Sequence, residues 1–134
     1  MTTTRPAIAI FNSSRDAISV LEEWLQPEFT TVRSYVREFR LGEKDLGDFM
    51  REHAPAAVVW DVSMPYYQNW TFLQAVRQAG TLKQCPLVPT SPHPTRLDEI
   101  VGLETGALEM TDHPECLKRI ADTLRRTVGS ADRS

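Results

Sequence analysis

Two short runs of consecutive apolar residues constrain the fold of this chain more than any other feature. Residues 7–11 (Ala-Ile-Ala-Ile-Phe) and 56–60 (Ala-Ala-Val-Val-Trp) are apolar at every position rather than at alternate positions. Strands with this pattern are buried on both faces, as in a parallel sheet that helices cover on each side. Residues 86–88 (Pro-Leu-Val) predict a third buried strand of the same kind. The chain is therefore expected to form an α/β fold.

The segments between these runs carry apolar residues at helical spacing. Five helices are predicted in this way: one with its apolar face at residues 17–25, one around 46–53, one over 69–79, one that Thr95 caps and one over 115–128. Residues 29–35 are rich in β-branched and aromatic side chains but carry Arg33 in the middle, which is typical of an edge strand. Residues 108–111 predict a short last strand.

Five strands that alternate with five helices predict a doubly wound parallel sheet. The leading arrangement is the flavodoxin-like (βα)5 fold with strand order 2-1-3-4-5. The chain is expected to be a single domain over 1–134, with a core at about 6–128 and a polar tail at 129–134. Pro89 argues against a central strand at that point, so it is expected to be the last residue of its strand or the first of the next loop.

Composition excludes several classes of protein. The 134 residues are 41% hydrophobic and 25% charged, so a packed core is expected rather than disorder. No apolar run approaches the roughly 20 residues of a membrane span, and the first residues lack the apolar stretch of a secretory signal. A net charge of −3 gives no indication of nucleic-acid binding, and two cysteines are too few for a disulfide framework. A cytoplasmic location is expected.

The carboxyl ends of the predicted parallel strands place the candidate site. That edge of the sheet gathers residues 11–14, 61–64, 90–92 and 112–114. Three histidines occur in the chain, but they do not have the spacing of metal ligands. No metal site is expected from them.

Three segments, in order and correctly spaced, carry a resemblance to a known family. They are residues 55–65, in which an apolar strand leads to Asp61 and then to Met64-Pro65, residues 100–107, which end in Gly106-Ala107, and His113-Pro114. Together they resemble the receiver domains of response regulators in bacterial two-component signalling and phosphorelays. The resemblance implies that Asp61 is the phosphoacceptor position and that Ser91 is the hydroxyl position of the family. It also implies a histidine kinase or an output protein as the partner.

The chain departs from this family where the phosphorylation chemistry lies. The two adjacent acids that hold Mg²⁺ in receivers are Asn12 and Ser13 here, and the family lysine is His113. Asn and Ser offer neutral oxygens, and a histidine is not permanently charged near neutral pH. We therefore expect a degenerate, pseudo-receiver-like domain without catalytic residues, in which Mg²⁺ binding, if any, is weak.

Three functions stay open at this stage. The first is a signalling domain that acts by protein–protein interaction, independently of Mg²⁺-dependent phosphorylation. The second is a single-domain response regulator that accepts phosphate on Asp61. The third, ranked low because Ser63 stands where a second aspartate is needed, is a small phosphatase with Asp61 as nucleophile. Asp61 itself is either a residual phosphoacceptor or fixed anion, or a cap for the amides of Ser63 or Met64, and the cap is the favoured interpretation.

Two surfaces compete as the interface with a partner. One is a loop with Tyr66 and Tyr67 next to Asp61, since exposed aromatic side chains are enriched at binding hot spots. The other is the face that the resembling family commonly uses, which would include Met110 and Lys118. The sequence leaves open whether output domains follow Ser134 in a longer protein.

Overall fold

A computed structural model describes residues 5–132 as one parallel sheet of five strands with helices on both faces. The strands are β1 (Ala7–Asn12), β2 (Thr30–Tyr35), β3 (Ala57–Asp61), β4 (Leu87–Ser91) and β5 (Leu108–Glu109). The helices are α1 (Arg15–Leu25), α2 (Val36–Arg40), α3 (Leu46–His53), α4 (Tyr66–Gln78), α5 (Pro94–Val101) and α6 (Pro114–Asp132). The strand order is β2-β1-β3-β4-β5, which confirms the flavodoxin-like prediction and the edge position of β2.

The sheet separates two apolar layers, and a single strand contributes side chains to both of them. In β1, Ile8 and Ile10 face the layer formed with α1 and α6, whereas Ala9 and Phe11 face the layer formed with α2 to α5. The continuous apolar runs are explained by this arrangement, because every second side chain is needed on each side. Trp60 in β3 is fully buried against Phe11.

The helices differ from the sequence prediction in four respects, one additional helix and three boundaries. The connection after β2 contains α2, so the chain has six helices within the described residues rather than five. The start of α2 is stabilised by Glu38, whose carboxylate accepts hydrogen bonds from the Tyr35 amide and the Ser34 hydroxyl. Helix α4 begins at Tyr66 instead of Asn69, and α5 begins at Pro94 with His93 as its N-cap.

The fourth difference is at the end of α6. The helix runs to Asp132, so most of the predicted polar tail is helical, while residues 1–4 and 133–134 lie outside the described residues. None of the helices in the described part of the chain is long and apolar enough to cross a membrane.

Pro89 lies inside β4, which contradicts the expectation that it ends the strand or begins the loop. The backbone groups of Pro86 and Thr90 bond to β3, whereas Ser91 accepts a hydrogen bond from Met110 on the β5 side. The backbone groups of successive residues in a strand point alternately to its two neighbours, so the backbone nitrogen of Pro89 faces β5. The pairing with β5 begins only at Thr90, so the missing N–H of Pro89 removes no bond from the ladder.

Candidate functional site

The carboxyl edge of the sheet brings together the polar ends of the three central strands. Asn12 ends β1, Asp61 ends β3 and Ser91 ends β4. All three side chains are buried. The predicted site is therefore assembled, but its groups lie beneath the surface and each already has a hydrogen-bond partner.

Asp61 is a buried carboxyl group with one neutral hydrogen-bond partner. It is 4% exposed, and the Thr90 hydroxyl donates a hydrogen bond to its Oδ1 at 2.7 Å. Burial raises the pKa of Asp61 to about 7, and the hydrogen bond from Thr90 opposes this only in part. Within residues 5–132 its carboxylate accepts no hydrogen bond from Ser63 or Met64, so the interpretation of Asp61 as a loop cap is wrong.

Asn12 uses its side chain to shape its own loop. Its Oδ1 accepts hydrogen bonds from the backbone N–H groups of Ser13 at 2.7 Å and Ser14 at 3.0 Å. Ser14 in turn caps α1 by accepting the Ala17 amide at 3.2 Å. The oxygen that Asn12 would offer to a cation is thus already engaged with the backbone.

Hydrogen bonds also fix the loop after β3. The hydroxyl groups of Ser13 and Ser63 lie 2.9 Å apart, which links the ends of β1 and β3. Asn69, buried in α4, donates to the Ser63 carbonyl at 2.8 Å and accepts from Arg40 at 2.8 Å. This series of hydrogen bonds joins the edge of the sheet to α4 and α2.

The hydroxyl beside Asp61 belongs to Thr90 and not to Ser91. Thr90 is the register partner of Asp61 across β3 and β4, so both side chains project to the same face. Ser91 is fully buried, and its hydroxyl oxygen accepts the His93 amide at 3.3 Å. A one-residue offset along a strand reverses the face, so the contact with Asp61 is made by Thr90 and not by Ser91, the residue that the resemblance implied.

His113 lies at the beginning of α6 instead of at the carboxylate. It is exposed, and its Nδ1 accepts the backbone N–H of Glu115 at 3.3 Å. That nitrogen therefore stabilises the first turn of α6. Arg15, two residues after Ser13 in the chain, is exposed at the start of α1.

The predicted interface residues separate into buried and exposed ones. Tyr66 is 6% exposed and Met110 is 5% exposed, so both belong to the core and neither forms part of a docking surface. Tyr67 is 60% exposed in the first turn of α4. Lys118 is exposed on α6, with its Nζ 3.8 Å from Asp122. The Tyr66–Tyr67 segment is helix and not loop, which corrects the prediction.

Comparisons with known proteins find relatives at low identity. No protein-family model matches the chain. It is 30% identical over 89 residues to the response regulator Rre1 of Synechocystis sp., covering 63% of this chain and 38% of that protein. It is 27% identical over 74 residues to the sensor histidine kinase CheAY of Helicobacter pylori, covering 55% of this chain and 9% of that protein. The chain thus corresponds to a minor part of both relatives.

Solved structures decide the fold. The chemotaxis response regulator CheY4 of Vibrio cholerae superimposes with a TM-score of 0.58 at 22% identity, over 92% of this chain and 99% of that one. The chain has the receiver fold. A second structure, described as a transiently phosphorylated "switch" in bacterial signal transduction, gives a TM-score of 0.64 at 18% identity, covering 96% and 98% of the two chains. The receiver fold of this chain therefore extends along nearly its whole length.

At the ends of β1, β3 and β4, the buried polar edge of the sheet has one carboxylate, that of Asp61. Among residues 5–132, no three His, Cys, Asp or Glu side chains come together as a metal-binding group. The edge offers a carboxyl group of raised pKa, hydroxyl groups engaged with one another and amides engaged with the backbone. Such an edge can keep a proton on Asp61 and fix the geometry of the loops. It has little negative charge to attract a cation.

Proposed function

We propose that this chain is a receiver-fold signalling domain that acts by contact with a protein partner, without Mg²⁺-dependent phosphorylation and without catalysis of its own. The partner is a histidine kinase or an output protein. One observation carries the proposal: Asn12, at the first position of the family's acidic pair, has its oxygen hydrogen-bonded to two backbone amides, 2.7 and 3.0 Å away. The position that should hold a metal ion stabilises the loop.

The donor set fits Mg²⁺ poorly. This ion prefers an octahedral shell of carboxylate and water oxygens. Asp61 is the single carboxylate at the ends of β1 and β3, and its burial raises its pKa to about 7, which reduces its negative charge near neutral pH. Transfer of a phosphoryl group to a carboxylate needs positive charge to offset the repulsion between the two anions. With Asn12, Ser13 and His113 in the family positions, that charge is missing.

The burial of Asp61 and Ser91 supports the same proposal. Asp61 is 4% exposed and Ser91 is fully buried, so a phosphoryl donor cannot reach either group without movement of the surrounding loops. The hydrogen bonds that join Ser13, Ser63, Asn69 and Arg40 hold these loops in one arrangement. A loop held in this way favours a constant binding surface over a switch.

Phosphate-affinity gel electrophoresis after incubation with acetyl phosphate and Mg²⁺ tests the proposal. The wild-type chain is expected to run as a single unshifted band. The matched variant Asn12→Asp with Ser13→Asp restores the two acids and is expected to produce a shifted band. Adding Asp61→Asn to that variant should abolish the shifted band, which assigns it to an acyl phosphate on Asp61. A shifted wild-type band that Asp61→Asn removes would overturn the proposal.

The second candidate function is a response regulator phosphorylated on Asp61, and a specific observation favours it. Asp61 stands at the carboxyl end of the central strand β3, followed by Met64-Pro65, as in the resembling family. In that case a carboxylate oxygen of Asp61 attacks phosphorus and the donor's leaving group departs. The electrophoresis described above distinguishes the two functions directly.

A further inference from the structure

A shallow apolar surface lies beside the site, between the beginning of α4 and the exposed side of α5. We call it the α4–α5 dish and define it by Met64, Pro65, Tyr67, Arg96 and Ile100. It encloses about 550 Å³, and the side chains of Met64, Tyr67 and Ile100 are 75%, 60% and 39% exposed. Exposed large apolar side chains that adjoin one another mark interaction surfaces more often than scattered ones do. Met and Tyr are both enriched in protein interfaces.

The charges of the dish are balanced within one helix. Arg96 is the one charged residue among the described residues that line it. Its guanidinium lies 3.5 Å from Glu99 one turn further along α5, and the two side chains are 65% and 61% exposed. Residues 96, 99 and 100 therefore share the exposed face of α5 at i, i+3 and i+4. The face has no net charge in a chain whose net charge is −3.

We propose that the α4–α5 dish binds the dish of a second copy of this chain in a two-fold arrangement. When two copies of α5 cross in opposite directions, Arg96 of each copy lies opposite Glu99 of the other, and Met64, Tyr67 and Ile100 are covered. A two-fold contact uses the same patch on both subunits, so the patch must be complementary to itself, and adjacent opposite charges on an apolar face meet that requirement. This inference rests on the proposed function, because it needs a surface that stays constant, and it adds a second copy of this chain to the histidine kinase or output protein named there.

The contact is small, so the dimer is expected to be weak. Stable interfaces bury about 800 Å² on each partner, and smaller ones belong to transient complexes. Three exposed apolar side chains and two ion pairs place this contact at the lower end of that range. We expect a dissociation constant on the order of 100 µM.

Sedimentation equilibrium of the full chain over a wide range of concentration measures the dimer. Wild type is expected to associate, and Met64→Ser with Tyr67→Ser is expected to raise the dissociation constant at least about tenfold. Arg96→Glu alone and Glu99→Arg alone should each be monomeric, because like charges then face each other twice. An equimolar mixture of these two single variants should associate again, since every facing pair is opposite in sign.

The mixture separates contact between copies from an effect within the helix. Each single variant has lost its own Arg96–Glu99 pair, so only a partner copy can restore association. The control exchanges the Lys118–Asp122 pair on α6, as Lys118→Glu and Asp122→Lys, and should leave the dissociation constant unchanged. A monomeric wild type at all concentrations, a dimer insensitive to the dish variants, or a mixture that fails to associate would each overturn the inference. None of these outcomes bears on phosphorylation of Asp61, which the electrophoresis tests separately.

Discussion

Asp61 shows how one buried residue couples stability to pH. Its pKa is about 7 in the folded chain and near the ordinary aspartate value of 3.8 when unfolded. Between these values the native state holds a proton that the unfolded state has released. The stability contributed by the neutral group is therefore complete below pH ~4 and is lost as the pH rises through about 7.

Asp61→Asn should remove this loss, because an amide stays neutral and can still accept the Thr90 hydroxyl. At pH 8 the variant is expected to have a higher free energy of unfolding than wild type, by up to about 4 kcal/mol. At pH 4 the two should differ little. Urea unfolding at both pH values measures this. Parallel pH profiles of wild type and variant would show that Asp61 is not the group responsible.

The second prediction concerns Mg²⁺ binding at Asn12, the last residue of β1, and at Ser13, the residue after it. Wild type should show no saturable Mg²⁺ binding in isothermal titration calorimetry at physiological concentrations of the ion. Asn12→Asp with Ser13→Asp should bind Mg²⁺, because it supplies the missing carboxylates. Without metal, the same variant should unfold at lower urea than wild type, since three carboxylates then repel one another at one edge. Adding Mg²⁺ should reverse that loss.

The residue scale also shows what the sequence could predict about the site. The position of Asp61 at the end of a buried strand followed from the apolar run before it. Its contact with Thr90 did not, because that contact depends on the register between β3 and β4, and two segments of sequence do not reveal their register. The register partner of an acidic residue is therefore the residue to examine once strands are paired.

At the scale of the element, Tyr66 and Tyr67 have opposite roles in the first turn of α4. Tyr66→Ala removes a side chain that is 6% exposed and should cost about 3 kcal/mol of stability. Tyr67→Ala changes a side chain that is 60% exposed and should cost less than about 0.5 kcal/mol. Chemical denaturation of the two single variants measures both values. Equal losses would mean that Tyr67 also packs in the core.

The beginning of α4 and the whole of α2 were missed for physical reasons. Pro65 has an extended backbone directly before α4. A proline is compatible both with this position and with a loop, so the sequence did not show where the helix begins. Helix α2 has five residues, too few for a periodic apolar pattern, and it depends on the Glu38 carboxylate at its start. Helices α1, α3 and α6 have full amphipathic patterns, and the sequence located them within a few residues.

For the whole molecule, the continuous apolar strands predict how the two layers depend on each other. Residues 8 and 10 serve one layer, and 9 and 11 serve the other, within a single strand. Neither layer can lose its strand without exposing the other. The same continuity made the fold predictable from the sequence, since strands buried on both faces require helices on both faces.

This shared sheet leads to a prediction about unfolding. Leu73→Ala in one layer and Leu124→Ala in the other each remove a fully buried side chain and should each cost about 2–5 kcal/mol. Both variants should lower the urea midpoint by the same amount whether it is followed by far-ultraviolet circular dichroism or by tryptophan fluorescence, because Trp60 and all five strands unfold together. The slope of the transition should stay that of wild type. Separate midpoints for the two signals in either variant would mean that one layer can unfold while the other stays folded, and that the strands do not couple them.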